Sequence, residues 1–201
     1  MSATNSKREL WVDYIKAIAC LSVLTFHVIY GLQNAGLECY PVLAVIKDFC
    51  TIFQIPTFMI ASGYLFSKKP IGNYFKFEAR KLLNLGVPFV VFTSVYYFIN
   101  SAAGSMVNFQ SDRKSLIDCL ILTPIAQYWY IFATIIIFIF LPIVEKVFKN
   151  EGIILLILLS WKLVNWYQIS FCGYDYYFAQ YAFYFYIGKK IKIIIVAKMY
   201  Q

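Results

Sequence analysis

Six apolar stretches, separated by short polar or basic segments, constrain this chain before anything else does: residues 12–32, 42–66, 82–102, 128–147, 152–169 and 176–188. All but the last approach the roughly 20 residues that a helix needs to cross a bilayer. With 61% hydrophobic and 20% aromatic residues in a 201-residue chain, no soluble domain could hide this much apolar surface. The expected fold is therefore all-α, a polytopic transmembrane bundle of about six spans. No internal repeat and no Gly/Ser-rich or Pro-rich linker interrupts it, so residues 1–201 read as a single membrane domain.

The cations set an orientation. With the N-terminus cytoplasmic, the inner segments carry Lys7 and Arg8; Lys68, Lys69, Lys76, Arg80 and Lys81; Lys146 and Lys149; and Lys189, Lys190 and Lys192. The outer loops carry only Arg113 and Lys114, and short loops obey the positive-inside rule. This pattern accounts for the net charge of +8 as a response to anionic lipid and excludes nucleic acid as a partner. The five cysteines, at 20, 39, 50, 119 and 172, show neither CxxC spacing nor a metal-ligand pattern, so no metal site is expected. The first residues lead into the 17–32 run without a small-residue cleavage site, which reads as an uncleaved span rather than a signal peptide. Within the longest outer connection, 104–123, the Ser115–Leu122 segment is expected to form a short re-entrant or interfacial helix. Aromatic residues crowd the span ends, the expected position of an interfacial belt.

His27 is the only histidine, and it lies inside the first apolar run. An imidazole titrates near neutrality and is costly in hydrocarbon, so its default reading is functional. Lys16 stands eleven residues earlier, about three turns plus 20°, which puts both on one helix face about 16 Å apart along the axis. Asp13 falls near the same stripe and can pair with Lys16 at i, i+3. Taken alone, each has a plain explanation: His27 as a core histidine, Lys16 as a side chain that snorkels to the headgroups. In the second span Pro56 is expected to kink the helix, and Ser62-Gly63 to permit close helix approach. The basic inner loop from Lys68 to Lys81 suits either topology signalling or the phosphates of a nucleotide-like donor, with Arg80 the best bidentate contact.

The combination says more than its parts. Lys16 and His27 ten intervening residues apart, the Phe53–Phe66 span with its Pro56 and Ser62-Gly63-Tyr64, the basic segment followed by Arg80-Lys81-Leu82-Leu83 and Pro88, and Tyr128-Trp129-Tyr130-Ile131 opening a later span together resemble the acyltransferase 3 family of integral-membrane acyltransferases. The resemblance runs from Asp13 to about Gly188, where Tyr186-Ile187-Gly188-Lys189 is similar to a helix end of that family. It implies a multi-pass protein of the cell membrane, of the bacterial inner-membrane kind. The implied reaction moves an acyl group, most often acetyl from cytoplasmic acetyl-CoA, to a hydroxyl of a surface glycan or other envelope molecule. His27 would then be the catalytic base, Lys16 a charge on the reaction path held by Asp13, and Arg80 and Lys81 contacts to the donor phosphates. Lys16 stands where many members have arginine, which keeps the charge and loses the bidentate fork. Family members usually have more spans than this chain holds, so an incomplete member is expected. The competing class is a non-catalytic carrier or channel in which Lys16, His27 and Lys162 line a polar path, and Lys162, near the middle of its span, favours it unless it snorkels toward Trp166 and Tyr167.

Overall fold

The computed structural model describes residues 9–37, 40–66, 74–104, 115–125, 128–166 and 173–199, and for 74–78, 166, 173 and 194–199 the backbone alone. Every regular element among them is helical: α1 (Leu10–Asn34), α2 (Pro41–Phe66), α3 (Tyr74–Ala103), α4 (Leu116–Ile121), α5 (Trp129–Val147), α6 (Glu151–Trp166) and α7 (Gly173–Met199). Four are long and apolar enough to cross a membrane: α1, α2, the 79–103 part of α3, and α5. The chain is thus an all-helical membrane protein. Helices α6 and α7 occupy the fifth and sixth apolar stretches. The first of these is 16 residues long, and the second carries Asp175 and a lysine cluster.

Two compact units divide the chain: residues 1–67 with 187–201, and residues 68–186. In the first, α1 and α2 pack side by side as an antiparallel pair. Val12, Ala61 and Tyr64 form its buried cluster with Leu65 against them, and the Trp11 and Tyr64 rings meet edge to face at 4.7 Å. At the other end of the pair Lys47 donates to Gln33 Oε1 at 2.8 Å. The turn between them begins at Gly36, whose φ of +75° is open to glycine at no steric cost, and the N–H of Leu37 closes it onto the Leu32 carbonyl. Pro56 sits inside α2, which the structure records as one helix from Pro41 to Phe66.

Residues 187–199 of α7 complete this unit. A Cβ on Gly188 would overlap the Ile60 carbonyl oxygen and lie 2.7 and 2.8 Å from the carbonyl carbon and Cα of Ile60, so α7 crosses α2 with backbone against backbone. Four residues on, Lys192 forms a 2.9 Å ion pair with Glu9 and stands 4.2 Å from the centroid of the Tyr64 ring. These contacts correct one sequence expectation and add to another. Gly188 does not end its helix: nothing from 173 to 199 breaks it, lysine is a good helix former, and the missing side chain serves the crossing instead. Lys192, read from sequence only as one of the inner cations, is buried and paired with Glu9.

In the second unit α3 packs against α5 and α4. Lys81 lies 5.7 Å from the Phe138 ring, Phe89 5.8 Å from Phe132, and Tyr96 6.0 Å from Tyr128, a descending series that runs α3 and α5 antiparallel. The short helix expected around 115–122 is α4, started by a capping box in which Ser115 and Asp118 satisfy each other's backbone N–H. Arg80 and Lys81, read from sequence as the end of a loop, belong to α3, because Ala79-Arg80-Lys81-Leu82-Leu83 are all strong helix formers. The remainder of that basic segment, Lys68, Lys69 and Pro70, lies outside the described residues, as do Lys7, Arg8, Arg113, Lys114 and Tyr167.

Candidate functional site on the first helix

Helix α1 buries Val12, Ala19, Ser22 and Ile29 on one side. From Val12, the 100° step places Lys16 at about 40°, His27 at about 60° and Asp13 at about 100°, on the shoulder beside the packed face. Lys16 and Asp13 are half-buried there and His27 is exposed. Lys16 is within electrostatic reach of Asp13 and Cys20, one on each neighbouring turn. The His27 ring stands edge-on to Phe26 at 5.2 Å, and Phe26 stacks on Tyr30 at 5.7 Å with planes 8° apart. Among the described residues no hydrogen-bond partner reaches the imidazole. A Cβ on Gly31, one turn further, would meet nothing within 4 Å, so the shoulder is open beside His27.

Chemically, this is a helix side with an imidazole that has no hydrogen-bond partner among the described residues and a cation within electrostatic reach of a carboxylate. The nearby hydroxyls are occupied: Ser22 donates to the Ile18 carbonyl and Thr25 to the Leu21 carbonyl, each at 2.9 Å, back along their own helix. The structure therefore brings Asp13, Lys16 and His27 together on one stripe. Arg80, exposed, and Lys81, half-buried against Phe138, follow one another in α3 of the other unit.

Sequence reasoning missed the Glu9–Lys192–Tyr64 cluster, since nothing in the local pattern links residues 183 apart. It also left Lys162 between two readings. Its ammonium turns onto α7, where it meets Gln180 and the Tyr184 ring. A polar residue in the facing span, Gln180, was the available signal.

An all-helical chain with four helices able to span a bilayer is a multi-pass membrane protein. The Acyl_transf_3 family model, described as an acyltransferase domain, matches residues 9–194. The chain belongs to that family and is a membrane acyltransferase. Comparison with curated proteins and with solved structures gives no match.

Proposed function

We propose that this acyltransferase takes an acetyl group from cytoplasmic acetyl-CoA and delivers it to a hydroxyl of a cell-surface glycan or other envelope molecule, in a cell membrane of the bacterial inner-membrane kind. Acyl transfer requires that the attacking hydroxyl lose its proton as the new ester bond forms and that the thioester sulfur leave as a thiol. His27 takes that proton and later returns it to the departing thiolate, which balances the reaction. Lys16, about three turns away on the same stripe, offers its charge to the donor along the reaction path, and Asp13 holds Lys16 in place. Arg80, with its planar fork, and Lys81 bind the phosphates of the donor at the basic end of α3.

The observation that carries this reading is the free imidazole of His27 on the open shoulder of α1, on the same stripe as Lys16. Membranes holding the chain, supplied with radiolabelled acetyl-CoA and an envelope glycan fraction, are expected to yield labelled ester, and His27→Ala membranes to yield none above background. Substrate flux across the membrane without any labelled product would identify a carrier and overturn the proposal.

A further inference from the structure

Inside the second unit, one face of α7 carries Tyr177, Gln180, Tyr181 and Tyr184, spaced i, i+3, i+4 and i+7. Aromatic rings of α5 flank it: Trp129 lies 5.4 Å from Tyr181 and Phe132 5.3 Å from Tyr177, centroid to centroid. On the α6 side, Lys162 Nζ donates to the carbonyl oxygen and to Oε1 of Gln180, both at 3.3 Å, and lies 4.7 Å from the centroid of the Tyr184 ring. Gln180 Nε2 donates in turn to Asn165 Oδ1 at 2.8 Å.

The direction of this chain of hydrogen bonds follows from chemistry. An ammonium can only donate, so Gln180 turns its oxygen to Lys162 and its amide nitrogen to Asn165, which answers with its own oxygen. Asn165 Nδ2 is left as a surplus donor. It is buried, in a residue 2% exposed, and has no acceptor. No carboxylate comes within ion-pair distance of Lys162 among the described residues. The hydroxyls of Tyr177, Tyr181 and Tyr184 have no hydrogen-bond partner there either, and none of the three is among the fully enclosed polar atoms. The seam thus combines flat aromatic area with polar tips, a positive charge lacking a counter-charge, and more donors than acceptors.

We infer that the seam formed by Lys162, Asn165, Gln180, Tyr181 and Tyr184 is a sugar-binding subsite of the second unit and that it takes an acidic sugar, a pyranose bearing a carboxylate; this rests on the reading that the acyl acceptor is a glycan. Tyrosine and tryptophan rings lie against the C–H face of a sugar ring while their polar tips reach its hydroxyls. The carboxylate supplies the acceptor-only, negative oxygen atoms that the ammonium and the surplus amide donor lack. A neutral sugar would leave Lys162 uncompensated at membrane depth.

The full chain, purified in detergent, is titrated with methyl β-D-glucuronide and with methyl β-D-glucoside, which differ only in the carboxylate, and its thermal unfolding is followed. The glucuronide is expected to raise Tm saturably with a midpoint about tenfold lower than the glucoside. Lys162→Arg keeps that preference and Lys162→Gln abolishes it. Asn165→Asp, of the same shape, still accepts from Gln180 and so preserves the fold, but replaces the surplus donor with a negative oxygen and loses the preference as well. Equal midpoints for the two sugars, a preference that survives Lys162→Gln, or inorganic phosphate that matches the glucuronide would overturn the inference. His27→Ala is expected to bind the glucuronide normally, so a failure of acetyl transfer and a failure of this subsite are read in separate experiments.

Discussion

Replacing Gly188 by alanine tests the packing of the first unit at a single atom. The added Cβ would sit 2.7 and 2.8 Å from two backbone carbons of Ile60, where carbon atoms in contact normally stand about 3.5–4.0 Å apart. Backbone atoms cannot swing aside as a side chain does, so α7 and α2 have to part by about 1 Å. Overpacking of this kind costs about 1–3 kcal/mol. The separation also strains what lies along the same line of contact, the Lys189–Phe66 and Lys192–Tyr64 ring contacts and the 2.9 Å Lys192–Glu9 ion pair. Alanine is otherwise the better helix former by about 1 kcal/mol, so a net loss of up to about 2 kcal/mol is expected. Unfolding in mixed micelles, followed by circular dichroism, measures it. The control is Gly86→Ala in α3, where a Cβ meets nothing within 4 Å, and there a gain of about 0.5–1 kcal/mol is expected. A Gly188→Ala chain as stable as the Gly86→Ala chain would refute the close crossing.

Three further outcomes are expected. His27→Ala lowers acetyl transfer by at least about a hundredfold in initial-rate assays while the protein still inserts, and near-normal turnover would remove His27 from the chemistry. Lys192→Met alone destabilises the chain by about 1–3 kcal/mol, moderated because Glu9 is partly exposed, whereas Lys192→Met with Glu9→Gln recovers most of the loss, since no charge is then left unpaired; a double-mutant cycle in micelles decides it. With native cysteines removed, a cysteine at position 108 reacts with an impermeant reagent applied from outside and one at position 73 does not; the reverse would invert the chain in the membrane and end the cytoplasmic-donor mechanism.

The sequence by itself determined the helical membrane class, because spans are long apolar runs and a bilayer leaves the backbone little alternative to a helix. The stripe of Asp13, Lys16 and His27 was equally legible, since within one helix the 100° step converts spacing into direction. So was the cap of α4, a contact between residues three apart. Where an interaction joins distant segments, local pattern carries no trace of it. Gly188 looked like a helix end until α2 was seen to pass against it, and nothing in the local pattern tied Lys192 to Glu9. Lys162 could face lipid headgroups or another helix on equal sequence grounds, and Gln180 across the α6–α7 interface decided between them. A charge buried in a membrane goes where its hydrogen bonds are, and only the tertiary structure sets where those partners stand.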